Sequence, residues 1–146
     1  MSTISAQSNV AFIDLEASLL PLLNSIVNLA VDPPSLYIDL EGIAVGRQGS
    51  IPILSLYIAP TKKTYLINIQ GLGPAAFSAT TNSGDITENR LGIVNYPQVV
   101  FDIRNDSDAL FSLFQISVDR IKDLQIMELA SRIGSRKFAS SLTAKC

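Results

Sequence analysis

The stretch YIDLEG, residues 37–42, sets two carboxylates into a run that otherwise has the composition of a buried β-strand. Side chains alternate between the two faces of a strand, so Asp39 and Glu41 point one way while Ile38 and Leu40 point the other. Two acids on one face repel each other and are costly to desolvate unless a cation or a proton intervenes. The pattern therefore predicts either a bound cation at Asp39 and Glu41 or an edge strand whose acids face solvent.

Composition narrows the kinds of site that this chain can build. The 146 residues are enough for one domain, and 47% of them are hydrophobic while 16% are charged, which excludes a disordered chain. A net charge of −2 argues against a protein that grips nucleic acid through bulk positive potential. Histidine is absent and the single cysteine is Cys146, which excludes Ser-His-Asp and Cys-His catalysis, histidine-ligated metals and internal disulfides.

The N-terminal part, residues 1–33, is expected to form a helical segment. Apolar residues between positions 9 and 30 follow a helical stripe, which Pro21 kinks or splits. Acids and asparagines make this stretch a poor membrane span, and no Lys or Arg precedes Arg47, as a secretory or transit peptide would require. We expect a soluble intracellular protein of the cytoplasm or nucleus with no membrane partner; the oligomeric state stays open.

The remaining chain alternates strand and helix signals. Short turn-like links join three strand-like runs, so these should be sequential antiparallel neighbours, at residues 36–41, 53–59 and 64–69. A short helix is expected within residues 71–81, and a buried strand at residues 99–103. Together these elements predict a mixed α/β fold.

Two later acidic positions fall at expected helix starts. Asn105 is expected to cap a helix whose first turn holds Asp106 and Asp108, where negative charge favours the helix dipole. Asp123 is expected to open the next helix, which Gly134 ends. Asp106 and Asp108 are therefore either site residues or simple helix N-terminal charges.

YIDLEG and the run FDIRNDSDALF, residues 101–111, resemble two motifs of the ribonuclease D-type branch of the DEDD 3′–5′ exonucleases, which have the ribonuclease H-like fold. The first motif, Asp-x-Glu on a strand, is matched by Asp39 and Glu41. The second, an Asp near a helix start, is matched by Asp106, with Asp102 and Asp108 as competing positions. The resemblance runs from about residue 34 to residue 139, and residues 34–42, PSLYIDLEG, are closely similar to fungal members of the family.

The family's third motif is a Tyr or His followed four residues later by an Asp on a C-terminal helix. After Asp123 this sequence has no further Asp, Tyr or His, so residues 34–146 are expected to be a C-terminally truncated domain without that motif. The short run at residues 121–123 resembles a family strand that ends in an Asp opening the next helix, where that Asp is generally structural.

The resemblance implies a sheet of three antiparallel strands and a further parallel strand flanked by helices. It also implies two-metal hydrolysis of phosphodiester bonds from the 3′ end of single-stranded RNA or DNA. Mg²⁺ or Mn²⁺, which prefer hard oxygen ligands, would bind the catalytic acids Asp39, Glu41 and Asp106.

Three further residues are expected to border the nucleic acid: Gly42, which would let its backbone approach closely, Arg104 and Asp108. Solvated charge is the plainer interpretation of Arg104. The chain can also be a catalytically inactive nucleic-acid-binding or protein-interaction module of the same fold, so whether it is an active enzyme stays open.

Overall fold

The computed structural model describes residues 9–79 and 96–132, which form one mixed sheet with helices. The six strands of this part are β1 (Val10–Ile13), β2 (Leu36–Ile43), β3 (Ser50–Ile58), β4 (Lys63–Asn68), β5 (Gln98–Val100) and β6 (Ile121–Asp123). The α-helices are α1 (Leu19–Ile26), α2 (Ile69–Leu72), α3 (Ala75–Ser78), α4 (Arg104–Phe114) and α5 (Leu124–Ser131). Their order along the chain brings the later helices to the ends of β4, β5 and β6.

The strands lie in the order β1-β4-β3-β2-β5-β6. Strands β2, β3 and β4 are antiparallel neighbours, while β1 pairs with β4, β5 with β2, and β6 with β5 in parallel. The expected α/β fold, with three antiparallel strands and a further parallel strand, is thus confirmed. Strands β1 and β6 extend the sheet by one parallel strand at each edge.

The expectation of a helical stripe from residue 9 to residue 30 is wrong at its start. Residues 10–13 form β1 and pair with residues 64–67 of β4, a distant contact that local periodicity does not reveal. Helix α1 begins only at Leu19, so Pro21 lies in its first turn. Backbone N–H groups in a first turn have no partner within the helix, so a proline there costs no hydrogen bond.

The core lies on one face of the sheet. Alternate residues of β2, β3 and β4 point into it, and side chains of α1 to α4 pack onto them. The fully buried members include Leu19, Leu22, Leu36, Leu54, Leu56, Ile58, Ile67 and Ala109. The opposite face of the sheet is more open and carries Phe12 of β1, Tyr37 of β2 and Tyr57 of β3, each more than a third exposed.

The chain around β5 and α4 differs from the sequence prediction in two details. The strand ends at Val100 rather than residue 103, because Asp102 takes a left-handed conformation with φ 56° and turns the chain. Helix α4 begins at Arg104 with Ile103 as its N-cap and no side-chain cap, so the prediction that Asn105 caps it is wrong.

Other expected features fare better. The short helix expected within residues 71–81 is present as the two short helices α2 and α3, of which α2 begins at Ile69. Asp123 caps α5 as expected, whereas Gly134 lies outside the described residues. Within residues 9–79 and 96–132, no helix combines the length and the hydropathy that a membrane crossing demands.

Candidate active site

The two acids of β2 lie where this strand loses one of its neighbours. Strand β3 pairs along the whole of β2, placing Asp39 beside Ser55 and Glu41 beside Ile53, whereas β5 pairs with β2 at Leu36 and Tyr37. Beyond Tyr37, the β5 side of β2 carries no further strand ladder within the described residues. Strand β2 is therefore internal at its start and open along its second half.

The side-chain alternation predicted for YIDLEG is confirmed. Asp39 and Glu41 are exposed and share one face, while Leu40 points into the core with 7% of its surface exposed. The plain edge-strand interpretation is incomplete, because β2 has strands on both sides. Burial of Leu40 fixes the strand, so both carboxylates are held on the open side.

The β2–β3 hairpin explains why residue 42 is a glycine. The β2–β3 register shifts between Glu41 and Ile43, and a Cβ atom on Gly42 would collide with the carbonyl oxygen of Ser50. It would also come within 2.9 Å of the Val45 Cγ2 atom. The hairpin itself therefore requires glycine here, and close approach of a nucleotide backbone stays a prediction.

Helix α4 brings Asp106 toward the same end of the sheet. Strands β2 and β5 are parallel, so the chain leaving the carboxyl end of β5 emerges at the edge that carries Asp39 and Glu41. It turns at Asp102, and α4 places the half-buried Asp106 in its first turn. The Asp106 side chain lines a small cleft between α4 and the sheet with Leu40.

Electrostatics links the three acids. Burial raises the pKa of Asp106, and the negative charges of Asp39, Asp102 and Glu41 raise it further, to about 6. No Lys or Arg forms an ion pair with Asp39, Glu41 or Asp106 within residues 9–79 and 96–132. The three carboxylates therefore share a region of negative potential that the described cations leave uncompensated.

The two competing aspartates on either side of Asp106 are each paired. Both Asp102 carboxylate oxygens accept from Arg104, at 2.6 Å from Nε and 2.7 Å from Nη2. That pair lowers the pKa of Asp102. Arg47, in the link between β2 and β3, pairs with Asp108 on α4: its Nε lies 3.0 Å and 3.1 Å from the two carboxylate oxygens. The electrostatics therefore favours Asp106 over its two neighbours as the second-motif acid, an assignment that stays a prediction.

Asp123 is an acid whose full contacts the sequence did not reveal. Its carboxylate is 7% exposed and accepts from the backbone N–H groups of two separate helix starts. Oδ1 lies 3.1 Å from the Asp102 nitrogen and Oδ2 3.0 Å from the Ile103 nitrogen, while Oδ1 also accepts from Gln125 at 2.9 Å and from Ile126 at 3.4 Å. Burial raises the pKa of Asp123, but these hydrogen bonds outweigh it and lower the pKa overall.

The acids suit a divalent cation in chemistry, although they do not form a closed cage. Within the described ranges, no three His, Cys, Asp or Glu side chains are already arranged to hold a metal ion. Mg²⁺ is usually held by one or two protein carboxylates, with water and substrate phosphates completing its coordination. Hard carboxylate oxygens with uncompensated negative charge meet that requirement, so the residues present fit a Mg²⁺ or Mn²⁺ ion.

Comparison with known proteins gives a match in structure alone. No family model matches the sequence, and no curated protein matches it. Among solved structures, the chain is similar to ribonuclease D of Trypanosoma brucei in complex with RNA U12, with a TM-score of 0.62, 17% identity, and coverage of 83% of this chain and 39% of that one.

Two further structures support the same fold. Ribonuclease D of Escherichia coli, an exoribonuclease involved in structured RNA processing, gives a TM-score of 0.59 at 16% identity over 90% of this chain and 32% of that one. The EXD2 exonuclease domain soaked in Mn and GMP gives 0.55 at 20% identity over 84% of this chain and 59% of that domain. The chain thus spans between about a third and three fifths of the solved chains it matches.

These matches confirm the predicted resemblance at the level of the fold. The chain has the ribonuclease H-like fold of ribonuclease D-type 3′–5′ exonuclease domains. The closer similarity to fungal members stays a prediction.

Proposed function

We propose that this chain, which has the fold of ribonuclease D-type exonuclease domains, is a divalent-metal-dependent 3′–5′ exonuclease domain. The observation that supports the proposal is that α4 brings Asp106 to the end of the sheet where the open half of β2 carries Asp39 and Glu41. Burial and the negative charges of Asp39, Asp102 and Glu41 together raise the pKa of Asp106 to about 6, and no described cation pairs with it. A folded protein that keeps three like charges together without an ion pair is suited to receive a positive ligand.

Phosphodiester hydrolysis explains why such a site would be built from carboxylates. Mg²⁺ or Mn²⁺, when bound, supplies charge stabilisation for the attacking and leaving oxygens. Asp39 and Glu41 would hold the ion from β2, and Asp106 would hold it from α4. The strand register fixes the backbone of the first two, and the turn at Asp102 fixes that of the third, while an arriving ion would have to draw the three carboxylates together.

The substrate class that fits best is the 3′ end of single-stranded RNA. The T. brucei ribonuclease D to which the chain is similar was solved with RNA, and the EXD2 domain with GMP. Gly42 follows Glu41 in β2, and Arg104 and Asp108 each lie two residues from Asp106 in α4, so these three remain our candidates for contact with the nucleic acid. Arg104 is largely exposed, so it could exchange its Asp102 partner for a phosphate.

The 146 residues taken by themselves include only part of the family's catalytic motifs. The 146 residues contain no Asp, Tyr or His after Asp123, so they include neither the fourth acid nor the base candidate of the family's third motif. In-line attack needs a water held between a metal and a base, and a misplacement of about 1 Å can cost on the order of 100-fold in rate. We therefore expect the 146-residue chain to be a weak nuclease at most.

A labelled single-stranded RNA incubated with Mn²⁺ separates the two functions. The test variant is Asp39→Ala/Glu41→Ala, and the matched control is Asp14→Ala/Glu16→Ala, which removes two exposed acids outside β2. The exonuclease proposal predicts slow shortening from the 3′ end that the test variant loses and the control keeps. RNA binding without shortening supports the inactive module, and equal shortening by both variants rules out Asp39 and Glu41 as the catalytic acids.

A further inference from the structure

We propose that Asp123 is a positioning residue for the candidate site: its carboxylate fixes the Asp102–Ile103 turn and thereby the first turn of α4, which carries Asp106. This inference rests on the proposed function for the role of Asp106. It goes beyond the opening of α5, which the sequence already predicts for Asp123, and it concerns a residue 17 positions away along the chain.

Sheet register places Asp123 where it can act on α4. Strands β5 and β6 are parallel and pair Val100 with Asp123, so both carboxyl ends lie side by side. Each strand is followed by a helix, and the single carboxylate accepts from both helix starts. Its position at the start of two helices also stabilises negative charge on Asp123 itself.

Helix α4 depends on this contact because its own sequence supplies no cap. Ile103 is the N-cap residue and its side chain cannot accept a hydrogen bond, while its carbonyl oxygen accepts from Ser107 at 2.8 Å. The preceding residue, Asp102, holds a left-handed φ of 56°, which costs free energy for a residue with a Cβ atom. The Asp123 carboxylate bonds the N–H groups of Ile103 and Asp102 and so stabilises this turn.

The same contact sets where Asp106 lies. Asp106 is three residues beyond Ile103, within the first turn of the helix, so a rotation of the turn moves its carboxylate directly. An acid whose geometry depends on a single turn is poorly placed once that turn is free to move. Asp123 touches none of the candidate metal ligands in the hydrogen bonds described and acts through the backbone alone.

Asp123→Ser separates the two tasks of this carboxylate. Serine is a good N-cap, so its one oxygen can still accept from the Gln125 or Ile126 N–H groups of α5. It is too short to reach the Asp102 and Ile103 N–H groups as well. Leu129→Ala is the matched control, because it trims a half-buried side chain of α5 without touching the carboxylate.

Hydrogen exchange of the 146-residue chain measures the outcome. We expect the amides of residues 102–108 to exchange roughly tenfold faster in Asp123→Ser, the loss of about one hydrogen bond to a charged group, with β3 and β4 unchanged. Leu129→Ala should leave residues 102–108 protected. Uniformly faster exchange in Asp123→Ser, or faster exchange in α5 alone, would overturn the proposal.

A second variant and a second readout keep the two proposals apart. Asp123→Asn keeps Oδ1, which accepts three of the four bonds, and replaces the oxygen facing the Ile103 N–H by a donor, so it should loosen residues 102–108 even if the serine variant fails to fold. Mn²⁺ affinity of the folded variants should fall in step with that loosening. A parent chain that binds no Mn²⁺ would contradict the proposed function. The hydrogen exchange of residues 102–108 would still test the role of Asp123.

Discussion

The carboxyl ends of β2 and β6 present acids in opposite circumstances. Asp123, at the end of β6, is buried and has its charge met by four backbone N–H groups. Asp39 and Glu41, on β2, are exposed and have no described cation partner, and their charge adds to the burial that raises the pKa of Asp106. The first arrangement stabilises the folded state, whereas the unpaired like charges of the second lower its stability. That difference separates a structural carboxylate from a candidate ligand.

Removing the satisfied acid should have the largest effect on stability. Asp123→Ala leaves four backbone N–H groups without their acceptor and removes the cap of α5, so we expect a loss of about 3 kcal/mol in the free energy of unfolding. Urea titration followed by circular dichroism measures it. Asp119→Ala, at an exposed acid, should stay within about 0.5 kcal/mol. A loss below about 1 kcal/mol for Asp123→Ala would show that the buried carboxylate contributes little.

The raised pKa of Asp106 should make the free energy of unfolding depend on pH. The pKa of Asp106 is raised from 3.8 to about 6 in the folded protein, so the folded state binds this proton more tightly than the unfolded state. Its contribution to stability is full below about pH 4 and is lost as the pH rises through 6. After allowance for solvent screening of a half-buried group, we expect this contribution to lower the free energy of unfolding by about 1 kcal/mol as the pH rises from 4 to 7.

Asp106→Asn tests that pH dependence. The variant should gain stability relative to the parent as the pH rises from 4 to 7, because its neutral side chain carries no charge to be desolvated by burial or repelled by Asp39, Asp102 and Glu41. Unfolding measured at both pH values gives the difference directly. Parallel stability curves for parent and variant would mean that neither burial nor the charges of Asp39, Asp102 and Glu41 raise the pKa of Asp106.

The smallest change in stability is expected at β2 itself. Asp39→Asn relieves repulsion in the metal-free protein and breaks no described ion pair, so the free energy of unfolding should be unchanged or higher by up to about 1 kcal/mol. Thermal and urea unfolding in a chelating buffer measure it. A loss of about 2 kcal/mol or more would place Asp39 in the same class as Asp123, as a satisfied structural acid.

The sequence predicts the local part of this architecture well. Alternation in YIDLEG, the short links between strands and the N-cap of α5 all depend on neighbouring residues, and each is confirmed. The strand β1 and the cap of α4 were missed because both depend on distant partners. Residues 10–13 pair with β4, more than 50 positions later in the chain, and the Ile103 N–H donates to Asp123, 20 positions later.

The candidate site also combines features that the sequence predicts with features that depend on distant contacts. Asp39 and Glu41 could be proposed from strand alternation and Asp106 from the family resemblance, and the fold brings the strand and the helix that carry them to one end of the sheet. The pairing of Asp102 with Arg104 and of Asp108 with Arg47 could not be read from spacing, because it depends on side-chain directions and on a link 61 residues from α4. Those pairs are what distinguish Asp106 from its neighbours.

Mn²⁺ titration tests the central claim most directly. The parent chain, Asp39→Asn and the charge-matched control Asp14→Asn would be compared by electron paramagnetic resonance of the free ion. The account predicts weak binding by the parent, at least about tenfold weaker binding by Asp39→Asn, and parent-like binding by the control, because the ion is held by carboxylate oxygens on β2. Identical titrations of all three proteins would contradict it.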